Sequence, residues 1–139
     1  MRRFVPAVLV AAIACACFAF PASASFDHHF SVVAKHDRFH QDSDGIRFQS
    51  DLFATWNHHN QVGHNHGKCR DAGDGFRCKV RFHLNGEVGG SGDIRAHGDG
   101  SGDHKLVVVG GSGDFNGVAG KALVDWNRHP IKIHFDLIR

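Results

Sequence analysis

Apolar and polar residues alternate along several short segments of this chain. In segment 76–84 every second residue is apolar or a cysteine, and the residues between them are basic or histidine. Segment 131–137 repeats the pattern, and segment 46–52 repeats it more weakly. A period of two is typical of antiparallel strands that are buried on one face. The continuously apolar segment 106–109 predicts a further strand, with little water on either face.

Turn signals separate these segments. Gly and Asp cluster at 42–45 and 71–75, and Asn85-Gly86 is the strongest short hairpin signal. No stretch combines a 3.6-residue apolar stripe with helix caps. About eight strands at short spacing predict an all-β protein, either a barrel or a sandwich.

The N-terminal segment has the features of a secretory signal peptide. Arg2 and Arg3 precede an apolar run from 4 to 20, and small residues end at Ala24. Cleavage is expected after Ala24, which predicts a signal peptide at 1–24 and a single domain at 25–139. The alternative is a lipid anchor on Cys15, although the usual Leu of that motif is missing. No second apolar run follows, so no membrane association is expected after cleavage.

Removing the signal peptide changes the charge balance. Of the 16 basic residues two leave with it, so 14 remain against 14 acidic residues. A nearly neutral domain lacks the cationic surplus typical of nucleic-acid binding, and no nucleic-acid partner is predicted. No motif calls for a cofactor either. The glycine-rich segment at 110–113 lacks the third glycine of a dinucleotide fingerprint, since Asn116 stands there.

Two cysteines remain in the predicted mature domain. Cys69 and Cys78 form an even pair in an exported domain, which favours a disulfide at the base of a hairpin. Closing so short a loop contributes ~2–3 kcal/mol in the chain-entropy picture. The competing interpretation is a metal pair, but the spacing typical of zinc sites is absent.

One glycine-rich motif carries a family resemblance. Segment 110–120 resembles the Gly-Gly-Thr-Gly-x-Phe-x-Gly-Ala-x-Gly signature of dirigent and allene oxide cyclase-like proteins. Its matching positions are Gly110, Gly111, Gly113, Phe115, Gly117 and Gly120. Segment 62–67 matches the family's Val-Gly-x-x-x-Gly stretch, and 133–137 resembles its closing strand. Bacterial relatives tend to carry a cysteine pair where Cys69 and Cys78 stand.

The resemblance covers roughly residues 29–138 and implies an eight-stranded antiparallel β-barrel with a largely apolar interior. Plant members bind small hydrophobic molecules inside the barrel, and some cyclise a fatty-acid epoxide or guide radical coupling. Relatives also form homo-oligomers. The glycine motif is expected to serve the fold, since tight turns and close strand crossings need residues without Cβ. Val118 replaces a small alanine and is expected to narrow one end of the barrel.

Four polar residues on predicted strands are the weak catalytic candidates. Arg47, Asp51, Arg81 and His83 fall on the polar faces. In a closed barrel one such face could point inward, where a buried carboxyl group acts as a general acid. Side chains of these types more often face water.

Histidine is unusually abundant, with 13 in the chain. His58, His59, His64 and His66 lie close together, and two imidazoles on one strand face could hold a transition metal. The competing interpretation is a solvated polar hairpin, since no acidic or thiol ligand lies in the same stretch.

The leading hypothesis is a secreted barrel that binds a small apolar or aromatic molecule and orients it for reaction. The first alternative is an isomerase of the allene oxide cyclase type, which needs an inward carboxylate and a polar anchor. The second alternative is an extracellular histidine-rich metal-binding or surface protein.

Overall fold

The computed structural model describes residues 27–99 and 105–139. The predicted signal peptide and Cys15 lie outside the described residues. The strands are β1 (Asp27–Asp42), β2 (Gly45–Ala54), β3 (Gln61–Asp71), β4 (Phe76–Asn85), β5 (Ser91–Asp99), β6 (Lys105–Gly111), β7 (Ala119–Asp125) and β8 (Ile131–Ile138). A one-turn 3-10 helix spans Gly113–Phe115.

The eight strands form one closed barrel in chain order. Every neighbouring pair is antiparallel, and β1 closes the wall by pairing with both β2 and β8. This confirms the predicted eight-stranded antiparallel barrel and decides against a sandwich. The hairpin signal at Asn85-Gly86 does mark a turn, but the connection continues to β5 at Ser91.

The barrel interior is built from alternate residues of the strands. In β4 the predicted apolar face points inward, with Val80, Phe82 and Leu84 buried. The prediction that segment 106–109 is shielded on both faces was wrong. Val107 and Val109 are 51% and 52% exposed, because the wall of a closed barrel has only one face toward the core.

Aromatic rings fill one half of the barrel. Phe135 stacks on Phe30 with ring centroids 4.7 Å apart, and it meets Phe82 edge-on at 4.9 Å. Phe30 lies 6.3 Å from Phe115, which is 1% exposed. These rings, with Val88 and Val118 beside them in the core cluster, fill the end of the barrel that carries the β4–β5 and β6–β7 connections. We call it the closed end.

The glycine-rich segment brings Phe115 into the closed end. Gly113 has φ of +60° and starts the 3-10 turn; a Cβ there would lie 2.5 Å from the carbonyl oxygen of Ser91. At Gly120, with φ of +133°, a Cβ would lie 2.1 Å from the carbonyl oxygen of Asp136. Only glycine tolerates both the dihedral angle and the close approach at these two positions.

A disulfide links β3 and β4. Cys69 and Cys78 are direct cross-strand partners, and their sulfur atoms are bonded. The predicted bridge at the base of this hairpin is therefore confirmed. It lies at the end of the barrel opposite the closed end, close to the β3–β4 turn.

Removing this bridge is expected to lower the free energy of unfolding by ~2–3 kcal/mol, because the unfolded chain regains the entropy of the open loop. The measurement is urea denaturation of the wild type and of a Cys69→Ala/Cys78→Ala variant, each with and without dithiothreitol. The reductant should lower the midpoint of the wild type to that of the variant and leave the variant unchanged. Equal midpoints for oxidised wild type and variant would contradict the expectation.

The β1–β2 turn is closed by a carboxylate. Asp42 Oδ1 accepts a hydrogen bond from the backbone N–H of Asp44 at 2.8 Å, and Asp42 Oδ2 lies 3.4 Å from Arg47 Nη2. The backbone hydrogen bond lowers the pKa of Asp42 below its ordinary value of 3.8, and the charges of Arg47 and Lys68 act in the same direction against a contribution from desolvation.

A lowered folded-state pKa means that ionised Asp42 stabilises the fold above the unfolded-state pKa, and that this contribution is lost as the pH falls through the folded-state pKa. We therefore expect the stability advantage of wild type over Asp42→Asn to be constant near neutral pH and to disappear in acid below about pH 4. Thermal unfolding of both proteins across this range measures it. An advantage that grows in acid would refute the assignment.

Candidate functional site

A cavity of about 460 Å³ occupies the half of the barrel that the aromatic rings leave empty. It opens at the end that carries the β1–β2, β3–β4 and β7–β8 turns, which we call the open end. Most of its lining is apolar, and successive inward residues of β4 mark its depth. Phe76 lies at the mouth, followed by Cys78 and Val80, with Phe82 at the floor.

The floor of the cavity carries two polar side chains. Ser50 and Asn65 are direct partners across β2 and β3, and Asn65 lies opposite Phe82. Both line the cavity and both are buried, with Asn65 only 4% exposed. The Oδ1 atom of Asn65 is buried without a hydrogen-bond partner.

An unpaired buried carbonyl oxygen costs roughly 1–3 kcal/mol. Asn65 is placed there by the register of β3, where Gly63 and Gly67 are its neighbours on the inward face. A Cβ on Gly67 would lie 2.2 Å from the ring of Phe48, so this glycine leaves space for the ring. The cavity floor therefore presents one unpaired hydrogen-bond acceptor in a mainly apolar lining.

The mouth of the cavity combines aromatic and charged groups. Trp126 and Phe39 line it and are 48% and 66% exposed. Asp37, Asp99 and Lys105 line it as well, and all three are exposed. For Asp37 and Phe39, the shift in register of β1 between Lys35 and Arg38 accounts for this position, because a bulge changes which residues of a strand point inward.

The four sequence-predicted catalytic candidates lie on the outer wall. None of Arg47, Asp51, Arg81 or His83 lines the cavity. Each has surface partners instead: Asp51 Oδ2 lies 3.1 Å from His36 Nδ1, and Asp93 Oδ1 lies 2.7 Å from His83 Nδ1. The structure brings Asp51 and His83 into one cross-strand row, through His64, but that row faces water.

The four sequence-predicted metal ligands also lie on the surface. His58 and His59 belong to the β2–β3 connection, while His64 and His66 point outward from β3. The ring of His64 lies 5.1 Å from that of His83. A metal site on these four histidines stays a prediction.

Among the described residues, one group of side chains is close enough to share a cation, and it lies elsewhere. Asp27, His29 and Asp136 have ligand atoms within 4.8 Å of one another. Both nitrogens of His29 already face a carboxylate, at 2.6 Å from Asp27 and 2.8 Å from Asp136. Contacts between His29 and the two carboxylates at the surface therefore explain why these three side chains lie close together.

Sequence reasoning missed the polar floor. Asn65 stands between His64 and His66, and the metal-site hypothesis for those two histidines gives it no role. The alternation of β3 carries the signal, because Gly63, Asn65, Gly67 and Cys69 lie on one face of the strand. The predicted bridge from Cys69 to Cys78, on the apolar face of β4, marks that face as the inner one.

Fold and cavity together define the class of protein: a small antiparallel β-barrel with an apolar, open-ended lumen. No family model matches the chain, and no curated protein sequence matches it. A solved structure of a pyocyanin demethylase is similar, with a TM-score of 0.58 and 19% sequence identity over 81% of this chain and 99% of that one. At this identity the likeness supports the fold. Within the described residues, no helix has the length and apolar character needed to span a bilayer.

Proposed function

We propose that this protein binds a small apolar or aromatic molecule in the lumen cavity, with a hydrogen-bond donor of that molecule directed at Asn65 Oδ1. The observation that carries the proposal is the unpaired buried oxygen at the floor of an otherwise apolar cavity. A ligand donor would satisfy an atom that is costly to leave unpaired.

The dimensions of the cavity support this proposal. Its volume of about 460 Å³ lies inside the ~300–1,000 Å³ range of small-molecule sites. Such sites are mainly apolar, with a few polar groups that fix the orientation of the ligand. Here Ser50 and Asn65 are those groups, while Phe82 and the residues above it supply the apolar contacts.

A role in orienting a reactive ligand fits this site better than acid–base catalysis does. Cyclisation of the allene oxide cyclase type needs an inward carboxylate. Among the described residues, the carboxylates that line the cavity belong to Asp37 and Asp99, and both are exposed at its mouth, away from Asn65 at the floor. The resemblance to dirigent proteins in segment 110–120 supports the same choice, since those relatives orient a guest.

The proposal includes export from the cell. The signal-like segment 1–24 and the Cys69–Cys78 bridge support it, because disulfides persist in oxidising compartments. N-terminal sequencing of the protein recovered from outside the producing cell should read from Ser25. Recovery of the intact chain in the cytoplasm alone would contradict export.

Binding in the lumen can be tested with N-phenyl-1-naphthylamine, an apolar fluorescent probe that carries one N–H donor. We expect its fluorescence to rise on addition of the protein and to stay low with Val80→Trp, which fills the cavity. The matched control is Val107→Trp, because Val107 is an exposed valine of the outer wall.

Ala34→Leu is a milder filling variant at another cavity residue, and it keeps the test decisive if tryptophan at position 80 prevents folding. Loss of binding in a folded filling variant but not in the control supports the proposal. Equal binding by wild type and both filling variants would place the probe elsewhere and overturn it.

A further inference from the structure

The outer wall formed by β1 to β5 carries two neighbouring rows of side chains without a carboxylate. Cross-strand register places Arg38, Gln49, His66, Arg81 and Arg95 in the first row. The second row contains His40, Arg47, Lys68, Lys79 and His97. We call these ten residues the basic band. Its four arginines and two lysines make this face of the barrel cationic.

The basic band lies along a groove. All ten residues line a depression of about 630 Å³ on the outside of the barrel. With neighbouring strands ~4.8 Å apart and alternate residues ~7 Å apart along a strand, the band measures roughly 19 Å by 7 Å. The surface is therefore elongated and runs across the strands, which suits an extended chain better than a compact ion.

The charges of the band are poorly neutralised within the protein. Lys68 stands directly opposite Lys79, and Arg81 directly opposite Arg95; like charges in this position repel. Lys79 and Arg95 have no ion pair among the described residues.

The other four cations contact acids only at the edges of the band. These ion pairs are 3.4 to 3.9 Å long and at least partly exposed: Arg38–Asp51, Arg47–Asp42, Lys68–Asp44 and Arg81–Asp93. Surface pairs of this kind contribute little, so the band keeps a net positive potential that an anionic partner could neutralise.

We propose that the basic band binds a linear acidic polysaccharide, whose carboxylate or sulfate groups contact the two rows of cations. Arginine forks bind planar or tetrahedral oxyanions through paired hydrogen bonds. Gln49 and the three histidines of the band add further hydrogen-bonding groups that suit sugar hydroxyl groups.

Charge complementarity alone would also fit a nucleic acid, but the band lacks a stacking platform. Binding of single-stranded nucleic acid relies on aromatic side chains under the bases, and the ten side chains of the band include no Phe, Tyr or Trp. Phe39 and Phe48 border the groove, yet their cross-strand register places them on the opposite face of the sheet from Arg38 and Gln49. The site is separate from the lumen, so its test is independent of the proposed ligand binding.

Titration with a heparin oligosaccharide and with an alginate oligosaccharide, followed by calorimetry, tests the proposal on the purified protein. We expect binding in about 50 mM salt that weakens steeply toward about 200 mM, because association releases counterions from the polyanion. In Lys79→Gln/Arg95→Gln we expect affinity to fall about tenfold or more and the salt slope to fall by about 2. Arg128→Gln/Lys132→Gln, which removes the same charges outside the band, should stay within about twofold of wild type.

Thermal unfolding separates loss of binding from loss of structure. Because Lys79→Gln and Arg95→Gln each remove a repulsive pair of like charges, the double variant should not unfold at a lower temperature than wild type. If the double variant does not fold, the single variant Lys79→Gln replaces it, and its affinity for the oligosaccharides should fall about threefold or more.

Three results would overturn the proposal. The first is failure of both oligosaccharides to bind in low salt. The second is an equal loss of affinity in Arg128→Gln/Lys132→Gln, which would show a response to net charge alone. The third is tighter binding of single-stranded or duplex DNA that carries the same number of charges, which would identify the band as a nucleic-acid surface.

Discussion

Replacing Asn65 by leucine is expected to stabilise the protein and at the same time to remove its preference for hydrogen-bonding ligands. The side chain is 4% exposed and its Oδ1 atom has no partner. An unsatisfied buried polar group costs roughly 1–3 kcal/mol, and leucine of similar volume removes that cost. The free energy of unfolding should therefore rise by about 1–2 kcal/mol in urea denaturation.

The same substitution separates two ligands of similar size. Displacement of N-phenyl-1-naphthylamine by 1-naphthol and by 1-methylnaphthalene compares a ligand that has a donor with one that lacks it. Wild type should prefer 1-naphthol by about threefold to tenfold, the value of one net hydrogen bond. Asn65→Leu should lose most of this preference, because the unpaired acceptor at the cavity floor is then gone.

Asn127→Leu provides the matched control. Asn127 is exposed in the β7–β8 connection and should change neither stability beyond about 0.5 kcal/mol nor ligand preference. A destabilised Asn65→Leu protein, or one that keeps the preference for 1-naphthol, would contradict the role of Asn65 as an unpaired anchor.

Phe135→Ala is expected to have the largest effect on stability. Phe135 is fully buried and holds the aromatic stack together, with Phe30 on one side and Phe82 on the other. Truncating a buried phenylalanine removes its transfer free energy and leaves a void, at a cost of about 3–5 kcal/mol. That is a large fraction of the roughly 5–15 kcal/mol that stabilises a domain.

Urea denaturation of Phe135→Ala measures this loss, and Phe39→Ala controls for the chemistry of the substitution. Phe39 is 66% exposed at the cavity mouth, so its truncation should cost less than about 1 kcal/mol. Similar losses for the two variants would mean that the stack does not hold the closed end together.

The strand pattern was readable from the sequence where one face of the wall meets the core. In β4, Phe82 and Val80 alternate with charged residues because the inner face excludes water and the outer face does not. The prediction that both faces of segment 106–109 are shielded from water was wrong for a physical reason. Exposed valines such as Val107 satisfy the backbone preferences of a strand as well as buried ones do, so apolar continuity does not show that both faces are covered.

The candidate site was less accessible to sequence reasoning. The weak catalytic candidates were predicted on polar strand faces, and those faces, including Asp51 and His83, lie outside the barrel, as is usual for side chains of these types. Ser50 and Asn65, the buried polar residues at the cavity floor, become neighbours only through the pairing of β2 with β3. Alternation predicts which face is inside, but it does not predict which residues meet across it.

The basic band could not be predicted from net charge, because it too depends on which residues meet across strands. The predicted mature domain is nearly neutral, which argued against a nucleic-acid partner. The rows form because five strands align their basic residues in register, as Lys68 aligns with Lys79. A net charge near zero is therefore compatible with a basic band that is positively charged.

The measurement that tests the lumen site most directly is a titration followed by the side-chain amide signals of asparagine in two-dimensional ¹H–¹⁵N NMR. Addition of N-phenyl-1-naphthylamine should shift the signals of Asn65, assigned by their absence in Asn65→Leu, and leave those of Asn127 in place. Unmoved Asn65 signals at saturating probe, with shifts confined to residues of the outer wall, would contradict the account.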